Sequence, residues 1–142
     1  MSSGTWNLQV AIRAIFLADS TLMGKITGVY ENAPQGTAKY PYVTIGDILV
    51  TDWKTHCRNG EEDFFDIKIW ENKVQGALSN KNTFSIESDI RRLLANKMFP
   101  VADMRDAICY FEETTMITDR DGKSRQAVCR YRIQIQEATE RT

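Results

Sequence analysis

The order of apolar patterns along this 142-residue chain predicts an α+β domain: a mostly antiparallel sheet covered on one face by two helices, with a C-terminal β-hairpin. Three observations carry that expectation. Helical spacing of apolar residues occurs in two stretches, around residues 8–15 and 86–94. Period-two alternation of β-branched and aromatic residues occurs in several others. Asp121-Gly122 sits between the last two alternating runs, a strong short-range hairpin signal.

Residues 5–19 read as the first helix. Leu8, Ala11, Ile12 and Ile15 recur at spacings of three and four, which places them on one face. Thr5 is the expected N-cap, its hydroxyl accepting an orphan backbone N–H. Gly24 is expected to end the continuation through Leu22 and Met23 in the left-handed conformation that glycine adopts cheaply. A short strand at 26–30 follows. Pro34, Gly36 and Pro41 then punctuate a turn-rich loop, which feeds a long strand at 42–53. There Val43, Ile45 and Leu49 are expected on one face, and Tyr42, Thr44, Ile48 and Val50 on the other. With both faces apolar, this strand is expected to be central or to cover its second face with a partner. Beyond a polar loop at 54–60, the strand at 64–70 sets Phe65, Ile67 and Ile69 against Asp66 and Lys68.

A polar connection through Asn72, Gln75 and Gly76 leads to the second helix, expected to run to about residue 96. Its stripe is Ile86, Ile90, Leu93 and Leu94, with Arg91 and Arg92 on the other side. The runs 105–118 and 124–136 read as two strands joined by Asp119-Arg120-Asp121-Gly122-Lys123. In the last run Ala127, Cys129, Tyr131, Ile133 and Ile135 alternate with Val128, Arg130, Arg132, Gln134 and Gln136, so one face should be buried and the other wet. Residues 1–142 are expected to form a single domain, with 1–4 and 138–142 frayed.

Composition narrows the function. Charged residues make up 26% of the chain and the formal net charge is −1, a balance that disfavours a protein built chiefly to grip nucleic acid. No apolar run is long enough to cross a membrane, and the N-terminus lacks the regions of a signal peptide, so the protein is expected to act inside a cell. Cys57, Cys109 and Cys129 form no Cys-x-x-Cys pair, and His56 is the sole histidine, so the closely organised four-ligand inventory of a zinc site is not here. Cys109 and Cys129 are expected on neighbouring strands, reduced and buried.

Several constellations invite chemistry and do not sustain it. His56 and Cys57 are adjacent, and neighbours on an extended chain point apart, which rules against a catalytic dyad. Asp119-x-Asp121-Gly122 opens like a calcium loop, but Arg130 stands where the closing glutamate is needed. Glu61, Glu62, Asp63 and Asp66, with Asp47 and Asp52, read either as strand-end carboxylates that keep edges soluble or as the charged rim of an interface. Arg125, Arg130 and Arg132 read as a basic stripe on the outer face of the last hairpin, facing DNA phosphates, an acidic neighbour or solvent. Trp6, Trp53 and Trp70 are the aromatics whose burial matters most, and Trp53 suits an interface as well as a core. No catalytic residue, metal ligand or cofactor site is assigned.

The ordered motifs carry a resemblance. Leu8-Gln9-x-Ala11-Ile12, Ile26 and Val29-Tyr30, Ala33-Pro34-Gln35-Gly36, Pro41-Tyr42-Val43-Thr44-Ile45-Gly46 and Thr51-Asp52-Trp53 occur in the order found in one family. They are followed by Phe65-Asp66-Ile67-Lys68-Ile69-Trp70, Arg92-Leu93-Leu94, the Asp-Gly turn and the arginine-bearing last strand. The chain resembles the tail-completion, or tail-terminator, proteins of long-tailed bacteriophages and gene transfer agents. Glu31 stands where the family usually carries aspartate, and the polar stretch 73–82 implies that the second helix starts late.

The resemblance implies a structural protein without enzymatic activity, cofactor or membrane. It would be assembled in the bacterial host cytoplasm and carried in the virion at the head-proximal end of the tail. There a ring, expected to be a hexamer, would end tail-tube polymerisation and join the head connector. Its partners would be other copies of itself, the tail tube protein and the connector or head-completion protein. By the same carry-over, Pro34, Gln35, Tyr40 and Tyr42, with Asp52, Trp53, Lys54 and His56, are candidate interface residues. Arg125, Arg130 and Arg132 are candidates to line the lumen and touch DNA passively. The competing expectation is a small nucleic-acid-binding accessory module that uses these same arginines. An enzyme would require Asp47, Asp52 and His56 to converge in a cleft.

Overall fold

The computed structural model describes residues 4–31, 40–52, 60–72, 80–98, 104–118 and 124–137. In chain order these form α1 (Gly4–Leu17), α2 (Ser20–Met23), β1 (Val29–Tyr30), β2 (Tyr42–Asp52), β3 (Gly60–Asn72), α3 (Asn80–Leu94), β4 (Lys97–Met98), β5 (Met104–Thr118) and β6 (Ser124–Glu137). The strands make a six-stranded sheet in the order β1-β2-β3-β6-β5-β4. Only β1 runs parallel to its neighbour; the other pairings are antiparallel. The expected α+β class with helices on one face is what the chain adopts.

The core lies between the helices and the inner row of the sheet. Leu8, Ile12 and Phe16 of α1 and Ile86, Ile90 and Leu94 of α3 are buried against Val43 and Ile45 of β2, Phe65, Ile67 and Ile69 of β3, and Ala127, Cys129, Tyr131 and Ile133 of β6. Burial of one large apolar side chain contributes roughly 1.5–3 kcal/mol. That matters for α3, whose first turns contain Asn82, Thr83 and Ser85, residues of middling helix propensity. Its helicity depends on the buried stripe rather than on local preference.

Several local expectations change. α1 begins at Gly4, so Thr5 lies within the helix and does not cap it. The cap visible in this region is Asp19, whose Oδ2 accepts the Leu22 N–H at 2.9 Å and starts α2. Gly24 does end α2, but with φ −74° and ψ −11°, a right-handed conformation. The left-handed residue is Asn96, φ 56°, just beyond α3, where asparagine tolerates the conformation better than most side chains. Its N–H donates to the Cys109 carbonyl at 2.9 Å and ties the helix end to β5.

β2 also departs from simple alternation. Gly46 pairs with Asp66 but Leu49 pairs with Phe64, so one extra residue is inserted in β2. Such a bulge switches the side-chain parity beyond it. Ile48 therefore packs against the core and Leu49 is 58% exposed, the reverse of the expectation. β3 is longer than expected and lies in the middle of the sheet. Cys109 and Cys129 are free and buried, opposite Ile133 and Thr114 rather than each other. The hairpin turn at 119–123 lies outside the described residues.

Burial pushes the Cys109 and Cys129 thiols up to about 12, so neither supplies thiolate near neutrality. Alkylation at pH 8 followed by peptide mapping should leave both unmodified in the native protein and modified in denaturant. Tyr131 is fully buried, stacked on Phe65 at 5.7 Å, and its hydroxyl has no hydrogen-bond partner among the described residues. Tyr131→Phe should therefore be neutral or stabilising, whereas Tyr131→Ala should cost about 3–5 kcal/mol in denaturant unfolding.

Candidate functional site

The face of the sheet turned away from the helices carries two structures, one aromatic and one ionic. At the β1–β2–β3 end, Tyr42 stacks on Trp70 with ring centroids 6.0 Å apart. Tyr30 meets Tyr42 edge-on at 5.7 Å and Tyr40 lies tilted against it at 5.3 Å. The Trp70 Nε1–H donates to Thr44 Oγ1 at 3.0 Å, which satisfies the indole. Gly28 leaves space for this cluster, since a Cβ there would approach the Tyr30 hydroxyl to 2.7 Å. The Tyr40–Pro41 peptide bond is cis. Tyr42, expected as a contact residue, is buried, because three aromatic rings and the sheet surround it; burial and the nearby Tyr40 raise its hydroxyl above the ordinary value. Tyr40 is the accessible member of the pair.

The ionic structure crosses β3, β6 and β5. Arg130 lies directly opposite Asp66 and its Nε donates to Oδ1 at 3.1 Å. Arg132 reaches Glu62 at 3.5 Å and Glu112 at 3.2 Å, and its guanidinium sits 5.0 Å from the centre of the Tyr110 ring. Gln134 donates to Glu62 at 2.9 Å. The two arginines thus face three carboxylates, and the expected basic stripe is a mixed-charge ladder with one carboxylate in excess.

Arg125 does not belong to it. It shares parity with Ala127 and Cys129, so it lies in the inner row, in register with Glu71 of β3. Two of the acidic residues likewise correct the expectation of edge solubilisers: Asp63 and Asp66 are buried on a central strand, as is Glu71. Asp66 is held there by Arg130.

Of the other candidates, Pro34, Gln35, Trp53, Lys54 and His56 lie outside the described residues, as does Cys57. Asp52 ends β2 in register with Glu61. No group of three or more His, Cys, Asp or Glu suited to a metal ion occurs among the described residues. No described helix is long and apolar enough to cross a membrane. One surface went unanticipated. Trp6, Val10 and Leu17 form a second, outward stripe on α1, legible in hindsight from spacings of four and seven.

The family model described as "Tail completion protein gp17" matches residues 10–136. The chain belongs to that family. A chain of a solved structure titled "Virion of native gene transfer agent (GTA) particle" has the same fold as this tail completion protein. Its TM-score is 0.83 at 18% sequence identity, covering 96% of this chain and 99% of that one. No curated protein matches. The tail completion family is one of structural tail-assembly proteins of virions, and the α+β fold accords with it.

Removing either partner of the Arg130–Asp66 pair should destabilise this tail completion protein. The Arg130→Ala/Asp66→Ala double variant should lose less than the sum of the single losses, by about 1 kcal/mol, because the single variants each leave a charge behind. Urea unfolding of the four proteins measures the difference.

Proposed function

We propose that this chain assembles as a ring, hexameric by the resemblance, on the head-proximal end of the phage tail tube. There it stops tube polymerisation and offers the head connector its joint. The observation that carries this is the family match over residues 10–136, joined to a fold shared over nearly the whole of a chain from a gene transfer agent virion. The tail tube protein, the connector and other copies of this chain are its partners. It takes no cofactor and performs no catalysis. The segments 33–41 and 54–60 are proposed as contact loops, with Tyr40 the exposed residue at the border of the first. The Arg130 and Arg132 face is proposed to line the lumen and meet DNA passively.

The physical logic is that of assembly. A closed ring needs contacts between two different patches of one subunit that repeat and close. A nucleic-acid-binding module would need free cations, and here the Arg130 and Arg132 side chains already engage Asp66, Glu62 and Glu112.

Deleting the gene from a producing genome should yield tails of irregular length that fail to join heads, seen by electron microscopy. Adding the purified protein to the extract should restore both. Tails of normal length carrying heads in its absence would overturn the proposal. In filter binding, the purified protein should show no tight, steeply salt-dependent retention of DNA; such retention would favour the accessory module.

A further inference from the structure

The two faces of α1 are both apolar, and only one is covered by the described residues. Leu8, Ile12 and Phe16 are buried, while Trp6, Val10 and Leu17 face outward, Trp6 with 58% of its surface exposed. With Tyr30 of the edge strand β1 they line an open groove of about 580 Å³, into which Arg13 and Glu31 also project. Scattered exposed apolar side chains need no explanation, but several gathered into one groove beside a sheet edge mark a contact surface.

The opposite edge of the sheet has the complementary form. β4 presents Met98, 64% exposed, beside exposed Lys97. The neighbouring strand β5 exposes Glu113. One edge therefore offers an apolar recess with Arg13 and Glu31, and the other an exposed Met98 beside Lys97, with Glu113 four residues beyond Cys109 along β5. Both edge strands are two residues long, so most of the outer edges of β2 and β5 carries no strand partner among the described residues. Patches on opposite edges can only meet head to tail, the arrangement that a ring requires.

We infer that the groove between α1 and β1 receives the β4 edge of a second copy of this chain. Met98 enters between Trp6 and Val10, Lys97 faces Glu31, and Glu113 faces Arg13. The inference rests on the ring proposed above and assigns the contact that builds it.

Disulfide trapping tests it in a Cys57→Ser background, where the two remaining cysteines are buried. Protein carrying Val10→Cys mixed with protein carrying Met98→Cys should form a covalent dimer on oxidation, and neither should do so alone. The Val10→Cys/Met98→Cys double variant should give a ladder of oligomers ending at the ring. Because like charges across an interface are costly, Glu31→Lys should lower the assembled fraction at least about tenfold, and Lys97→Glu in the same chain should restore it. Both positions are exposed, so the fold should survive, and circular dichroism checks that. A Val10→Cys chain that links to itself indicates a two-fold contact and overturns the inference. A ring that forms without the Val10–Met98 link overturns this contact and leaves the ring standing. Monomer alone, at high concentration and in the presence of tail tubes, overturns both.

Discussion

The pairing of β3 with β6 is the constraint on which the rest of the molecule depends. Every residue of β3 from Gly60 to Asn72 is matched to one of β6 without a register break. That single ladder sorts two chemistries at once. Phe65, Ile67 and Ile69 share the inner row with Tyr131, Cys129 and Ala127, and Asp66 shares the outer row with Arg130. A slip by one residue would drive the arginines into the helices and the core side chains into water. The apolar row and the ion pairs therefore enforce the same register from opposite faces.

The helices are fastened to that sheet by charge as well as by apolar contact. Arg92 of α3 bonds Asp19, the residue that caps α2, and the adjacent guanidinium holds the Asp19 carboxyl below its ordinary value. Lys25 reaches Asp89 of α3 at 2.7 Å. Buried Glu87 is engaged by Arg91 on its own helix and by Thr114 of β5, while Arg91 lies 4.1 Å from the centre of the Phe111 ring. Each pair joins a half-exposed cation to a more buried carboxylate, and such pairs add little energy where the cation stays solvated. Their contribution is to fix where α2 and α3 sit relative to each other and to β5.

What the sequence made legible and what it hid divide along a physical line. The stripe Ile86, Ile90, Leu94 and the alternation from Ala127 to Ile133 are local periodic signals, and both landed on the expected faces. The ordered motifs likewise pointed to the family that the model match establishes. Leu49 was misplaced because a bulge is invisible to a strict count of twos. Asp66 and Tyr42 were expected at the surface because their partners, Arg130 and Trp70, are distant in sequence and meet them only through the fold. β4 is created by tertiary pairing and has no pattern of its own. Arg125 was a different case: counting in twos from Ile133 already places it in the inner row.

On the proposed ring, the neutralised arginine ladder bears on friction. A phosphate that drew Arg130 away from Asp66 would leave a buried carboxylate without its guanidinium. The exchange replaces one anion by another and gains little, so no position along the face holds a polyanion strongly. The carboxylates repel it only weakly, since they outnumber the guanidiniums by one. A conduit wall made this way neither traps nor excludes DNA, and the strand can slide past with little to hold it back.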